Sequence, residues 1–359
     1  MKHFLLYFVL IVNGSVFAQS SAKVTIKYRG ESVSEAAADS VKKGFRGLSV
    51  VDSKVIWISG QKGLVGRSMD GGTTFHWRRI DGFSKLDFRT LHAFDKKTAV
   101  VATAGTPAAI LRTADGGKNW TQCYISRDSA MFFDGVGFWD KNCGLIFGDP
   151  INGRMFLMET FDGGKTWLEI PFEDRPQLVE GEAAFAASGT TIRTLPNGHV
   201  YIATGGIKSR LWHSRDYGHH WEVFETPIIQ GKPSQGIFSI AFKDTMIGVI
   251  VGGDYTLPND TTANCFYTED GGRSWKRPYS VPGGYRSCVE YLDSGMLITV
   301  GTSGIDVSGA DGMHWSGYLT VSANVVKKFS KGRMYVRAGS SDTCVSLAEY
   351  KPDFAPPNY

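Results

Sequence analysis

The sequence predicts an all-β fold: a seven-bladed β-propeller of four-stranded antiparallel blades, its last blade closed by an N-terminal strand. Three observations lead there. The pattern Ser/Thr-x-Asp-x-Gly-x-x-Trp keeps returning along the chain. The aromatic residues that end successive copies, Phe75, Trp120, Trp167, Trp221, Trp275 and Trp315, are 45, 47, 54, 54 and 40 residues apart. That is the length of one propeller blade. No helical periodicity is sustained after the first residues, whereas short apolar alternations bounded by glycine are common.

The chain has 359 residues and divides into a signal peptide, 1–18, and one propeller domain, 19–359. Lys2 supplies a positive start, Phe4 to Val12 a short apolar run, and Val16-Phe17-Ala18 a small-residue cleavage site. The apolar run is too short to span a bilayer, and no later stretch reads as a membrane helix. The expectation is an exported protein, periplasmic or extracellular, without membrane insertion once the signal is removed. Val24 to Tyr28 alternates as a strand and is expected to complete the last blade, which removes an open edge.

Each repeat then starts on an aromatic strand, passes a Gly-rich bend and ends in the Asp turn. The first strands are read at Phe45 to Val51, Phe88 to Phe94, Phe133 to Trp139, Glu182 to Phe185, Ile237 to Phe242 and Tyr285 to Val289. A seventh unit, Val325 to Tyr350, has two or three strands and no Asp turn.

The Asp turn itself carries structure and no chemistry. Thr113–Trp120, Thr160–Trp167, Ser214–Trp221 and Thr268–Trp275 match it fully, Ser68–Phe75 substitutes Phe, and Ser308–Trp315 has Ala310 in place of Asp. A carboxylate in a tight turn accepts hydrogen bonds from the turn's own N–H groups and the nearby hydroxyl. The Trp then turns into the core as the next strand starts. The carboxylates of Asp70, Asp115, Asp162, Asp216 and Asp270 are therefore expected to be used up by their own turns, which leaves none of them free to act as a general acid.

A different group of polar residues points to function. If each first strand lines the channel, its start and the end of the second strand share the face opposite the Asp turns. Collected there are Arg46, Arg89, Asp134, Glu182 and Arg286 at first-strand starts, with Asp149, Asp254 and Tyr255 at second-strand ends. A ring of mixed charge beside glycines suits a polar or anionic ligand at the channel mouth. Equivalent charges in a repeat protein also serve as structural ion pairs between blades, so both readings stand for each residue.

The remaining chemistry is sparse. Net charge is +4 and no basic run is present, which argues against a nucleic-acid partner. His219 and His220 are adjacent on a turn, with no third ligand near in sequence, so no metal site is expected. No nucleophile-elbow, zinc-protease, phosphate-loop or dinucleotide motif is present in the required context; no cofactor is expected and no catalytic residue is assigned. The five cysteines, Cys123, Cys143, Cys265, Cys288 and Cys344, are far apart, and no disulfide pairing or oligomeric state follows from them.

The Asp turns resemble those of the Asp-box (BNR-repeat) superfamily, which includes sialidases, sortilin-type receptors and photosystem II assembly factors. The ordered segments FRGLSVVD, FRTLHAFD, GDP, EGEAAFAASGT, GIFSIAF, VGGDY, GYRS and VGTSG are similar to an exported bacterial propeller group described as oxidoreductase-like or photosystem II stability/assembly factor-like. The resemblance covers residues 40 to 350. It implies a binding or assembly scaffold that holds a protein partner through a basic patch on one propeller face, carried here by Arg46, Arg89 and Arg286. The sialidase resemblance implies an alternative, a glycoside hydrolase using those arginines with Tyr255 or Tyr285, Glu182 and Asp149. A propeller that binds glycans without turnover is the third reading.

Overall fold

The computed structural model describes residues 26–32, 34, 44–292, 295–329, 334–339 and 345–349. The expected signal peptide and Cys344 lie outside the described residues.

The strands follow the repeat. β1 is Lys27–Ser32. The first unit is β2 (Phe45–Val50), β3 (Ile56–Gly60), β4 (Leu64–Ser68) and β5 (His76–Ile80). The second is β6 (Asp87–Ala93), β7 (Ala99–Ala104), β8 (Ala108–Thr113) and β9 (Asn119–Ser126), and the third is β10 (Phe133–Phe138), β11 (Gly144–Ile151), β12 (Arg154–Thr160) and β13 (Leu168–Glu169). Next come β14 (Glu182–Ala183), β15 (Ile192–Thr194), β16 (Val200–Ala203), β17 (Gly205–Gly206), β18 (Arg210–Ser214) and β19 (Glu222–Glu225). The remainder is β20 (Gln235–Phe242), β21 (Gly248–Asp254), β22 (Cys265–Thr268), β23 (Cys288–Tyr291), β24 (Leu297–Gly301), β25 (Gly304–Ser308), β26 (Trp315–Leu319), β27 (Val325–Lys328), β28 (Met334–Ala338) and β29 (Val345–Glu349).

These strands form six sheets, where seven separate four-stranded blades were expected. The count is corrected by β1. It lies between the outer strands of the first two units, antiparallel to both, with Gly30 opposite Ile80 and Tyr28 opposite Trp120. The two units thereby become one nine-stranded sheet. The expected closure of the last blade by the N-terminal strand is corrected by the same finding: β27–β28–β29 form a three-stranded sheet without it. β1 covers two outer edges, where unpaired N–H and C=O groups would otherwise face water.

The ring closes by packing. The innermost strands β2, β6, β10, β15, β20, β23 and β27 contact one another in that order, and β27 meets β2 again. Asn324 just before β27 donates its side-chain N–H to the carbonyl of Phe45, at 3.0 Å. The fourth unit corrects another expectation. Its innermost strand is β15, whereas Glu182 lies on β14, which pairs with β17 in the sheet of β20–β22. Residues between β14 and β15 instead cross the channel end.

The core sits between neighbouring sheets. Ile56, Ile58 and Trp77 pack with Val300, Val325 and Val336 across the closing seam, and Trp57 and Trp120 share one cluster between the first two units. Burial of these alternating strand faces supplies the main stabilising term, about 25 cal/mol per Å² of apolar surface. The Asp turns lock the outer hairpins. Asp162 accepts hydrogen bonds from the backbone of Thr166 (2.9 Å) and the hydroxyls of Thr160 (3.0 Å) and Thr166 (2.6 Å). Trp120, Trp167, Trp221 and Trp315 each return an indole N–H to the turn glycine carbonyl three residues earlier, at 2.8–3.2 Å.

Candidate functional site at the channel mouth

A repeated backbone device builds the mouth opposite the Asp turns. In β2 the pairing with β3 skips one residue between Phe45 and Gly47; in β6 it skips between Phe88 and Thr90; in β10 between Phe133 and Gly135; in β20 between Ile237 and Ser239. Each skip is a β-bulge, which takes one side chain out of the strand's alternation and re-aims it. The residues so presented are Arg46, Arg89, Asp134 and Phe238. A fifth bulge, between Gly148 and Pro150 of β11, presents Asp149.

Glycine at the end of the second strand makes this crossing possible. A methyl group on Gly148 would overlap the carbonyl oxygen of Phe132, and one on Gly252 would overlap that of Gly236. The same comparison fixes the register of Arg286. A Cβ on Gly60 would meet the Cα of Phe45, whereas a Cβ on Gly301 would meet the Cα of Arg286, both near 3 Å. Arg286 therefore occupies the place of Phe45, one residue out of step with Arg46, and a one-residue step turns a side chain to the other face.

The structure thus sorts the eight expected residues. Arg46 and Arg89 stand close enough for each charge to act on the other, and burial followed by Arg89 lowers the pKa of Arg46. Arg46 donates to the carbonyl of Ala187 at 3.0 Å. Arg89 donates its Nε to Asp87 at 2.8 Å. Asp134 and Asp149 belong to the same neighbourhood. Asp134 is fully buried and neither carboxyl oxygen has a hydrogen-bond partner. Burial pushes its pKa well up, Asp149 adds to the rise, and Arg89 opposes it. Asp149 is likewise raised by burial, against a hydrogen bond from the backbone of Ala184.

Glu182, Asp254 and Arg286 are engaged elsewhere. Glu182 is paired with Arg210 and also accepts from the Thr204 hydroxyl at 2.6 Å and the Val179 N–H at 3.2 Å. Asp254 accepts from the backbone and hydroxyl of Thr256, at 3.0 and 2.6 Å, and from Gln235 at 3.2 Å. Arg286 is sealed in its blade against Asp306 at 2.5 Å, with further bonds to the Tyr285 carbonyl and the Ser303 hydroxyl.

The other half of the mouth is aromatic. Phe185, on the crossing segment, stacks on Phe238 with ring centres 3.8 Å apart and planes 9° apart. Tyr285 meets Phe238 edge-on at 4.8 Å and Tyr255 does so at 6.1 Å. Tyr255 is 51% exposed, so the cluster reaches solvent through it. Phe185 and Phe238 were not among the candidates read from sequence. Their signal was available: Ile237-Phe238-Ser239 aligns with Phe45-Arg46-Gly47 once the glycines at second-strand ends are placed in register. The crossing segment is held by Ser188, which donates to the Ser287 carbonyl at 2.7 Å, and by Thr190, 2.6 Å from the Ser239 hydroxyl.

Among the described residues, no group of three or more His, Cys, Asp or Glu is placed to hold a metal ion. The arrangement offers two arginines, a protonatable carboxyl pair and an aromatic shelf with one exposed edge. Such a surface suits a polypeptide segment, since aromatic anchors and arginines supply most of the energy at protein interfaces.

The family described as Photosynthesis system II assembly factor YCF48 matches residues 35–130. The chain is 24% identical over 243 residues to the photosystem II assembly lipoprotein Ycf48 of Synechococcus sp. (strain CC9902), a match covering 66% of this chain. It spans 62% of that relative's length. Among solved structures it is similar to one described as YCF48 bound to D1 peptide, with TM-score 0.62 and 13% identity over 90% of this chain and 97% of the other. It is similar also to YCF48 from Cyanidioschyzon merolae, with TM-score 0.60 and 16% identity over 91% and 100%. At these identities the structural likeness is one of fold, an all-β propeller. The chain therefore resembles the Ycf48 photosystem II assembly factors, in sequence along two thirds of its length and in fold along nearly all of it.

Proposed function

We propose that this protein is an exported, non-enzymatic assembly scaffold that holds a segment of a protein partner at the channel mouth. The observation that carries this reading is the set of bulges that brings Arg46, Arg89, Asp134, Asp149 and Phe238 to one end of the ring. The family resemblance supports it, as does a similar propeller described with a bound peptide. Export rests on the N-terminal residues 1–18 and accords with a relative described as a lipoprotein.

Mixed charge next to exposed aromatic surface selects for peptide-like ligands. Arginine can grip a carboxylate or backbone carbonyl, and Tyr255 offers area at low entropic cost. The glycosidase alternative needs a carboxylate free to act on a tyrosine and three arginines around one anion. Glu182 is instead bound to Arg210, and Arg286 to Asp306. Fold alone does not transmit activity.

The test is capture by immobilised protein from a membrane extract of the source organism. A polypeptide retained by wild type is expected to be lost from the Arg46→Gln, Tyr255→Ala double variant, with the melting temperature preserved. Undiminished capture by the variant removes the mouth as the binding site. Turnover on an aryl-glycoside panel would overturn the non-enzymatic reading, and retention on a glycan array would make the ligand a sugar.

A further inference from the structure

Beneath the crossing segment the channel opens into a cavity of about 240 Å³. We propose that this cavity binds a small oxyanion, a phosphate or carboxylate group, held between Arg89, Arg193 and Lys327. The three cations come from β6, β15 and β27, and all line the cavity, whereas among the described residues no carboxylate does.

The local charge is unbalanced. Arg193 Nη2 lies 2.7 Å and Lys327 Nζ 3.2 Å from the same oxygen, Oε2 of Glu290. Two cations thus share one carboxylate, and Glu290 itself lines a separate cavity that also touches Arg193. Arg89 is ion-paired with Asp87. Excess charge inside a protein is costly unless a counter-charge or water compensates it. Water can solvate the excess cation but cannot neutralise it, and an oxyanion does both.

Neighbouring groups leave the imbalance standing. His92 lines the same cavity, and burial followed by the charge of Lys327 brings its pKa down to about 4, so it is neutral at physiological pH. Asp134, the carboxyl that feels Arg89, is driven towards its protonated form by burial. Gly47, Gly137 and Gly189 form part of the wall and let a ligand approach the backbone. The space exceeds that of one water molecule.

The cavity shares Arg89 with the mouth, but Lys327 and Arg193 lie outside the partner-binding set, so failure of one reading is separable from failure of the other. Wild-type protein is titrated calorimetrically with inorganic phosphate and with acetate, at ionic strength held constant with sodium chloride. Saturable binding of either is expected, and the tighter of the two identifies the ligand class. Lys327→Gln should weaken it by about tenfold or more, the scale of one charge-assisted contact, and Lys327→Arg should restore it. Lys165→Gln, on the Asp-turn rim, should leave it unchanged. If Lys327→Gln fails to fold, the Lys327→Arg and Lys165→Gln proteins are compared by bromide soaking and anomalous diffraction, with a peak between Arg89, Arg193 and residue 327 expected in both. Neither phosphate nor acetate binding saturably, an equal affinity in folded Lys327→Gln, or no bromide in the cavity would overturn the proposal.

Discussion

Two aspartates at opposite ends of this ring, Asp70 and Asp134, have opposite surroundings. On the Asp-turn rim, Asp70 accepts from the Thr74 hydroxyl at 2.6 Å, the Thr74 N–H at 2.9 Å and the Ser68 hydroxyl at 2.8 Å. Those bonds, first from the Thr74 side chain, hold its pKa down to about 2. At the mouth, Asp134 is sealed from water with both oxygens unpartnered, and its pKa is driven up. A carboxylate whose hydrogen bonds are complete serves the hairpin that surrounds it. A carboxyl left unsatisfied costs stability, and such costs gather where a protein meets something else.

Glu182, expected at the mouth, instead resembles a rim residue, with its carboxylate paired and hydrogen-bonded. Glu182→Ala leaves the largely covered Arg210 guanidinium without its partner and is expected to cost about 3 kcal/mol in denaturant unfolding. A loss near zero would mean that Glu182 is free for ligand. On the rim, Asp162→Ala removes the acceptor of the exposed Thr166 N–H, which water can replace, and should cost about 0.5–1.5 kcal/mol. Partial burial opposes the charged form of Asp162, but its hydrogen bonds from Thr166 and Thr160 keep the pKa below the usual range. Its contribution is therefore present above the unfolded pKa and lost as pH falls through the folded one, so wild type and variant should converge in acid.

Asp134 should show the reverse sign. Its folded pKa lies above the unfolded value, so its contribution is complete below the unfolded pKa and lost as pH rises through the folded one. Asp134→Asn removes that loss. Relative to wild type it should gain stability with rising pH, by at most about 1.4 kcal/mol per pH unit, in denaturant melts taken at several pH values. A parallel pH profile would show that Asp134 ionises freely. The smallest stability effect belongs to Tyr255→Ala, expected within about 0.5 kcal/mol of wild type because the ring is half exposed, although partner binding should fall.

What could be read in advance followed the range of the interactions. The Asp turn is local: every partner of Asp162 lies within four residues, so an eight-residue pattern contains the whole device. The repeat spacing likewise carried the all-β propeller. The pairing of β1 with β5 and β9 joins residues about fifty and ninety positions away, and nothing within Lys27–Ser32 announces either partner. That one pairing changed the expected seven blades into six sheets and removed the expected closure.

The mouth was half legible for the same reason. Arg46, Arg89 and Asp134 follow an aromatic residue in a recognisable strand start, so their equivalence was visible. Arg286 follows Tyr285 and looks equivalent, but the strand enters one residue later, and the step turns the guanidinium towards Asp306. Glu182 preceded an apolar run that resembled a first strand and proved to be an edge strand beside β17. Phe238 was hidden because its unit presents an aromatic ring where the others present charge.

The two rims are expected to differ in use, one holding the fold and the other a partner. A photo-crosslinking phenylalanine placed at Tyr255, and separately at Lys165 on the Asp-turn rim, tests it directly in cells of the source organism. A discrete polypeptide adduct is expected from position 255, lost when Arg46→Gln is added, and none from position 165. Equal adducts at both positions, or an adduct at 165 alone, would contradict it.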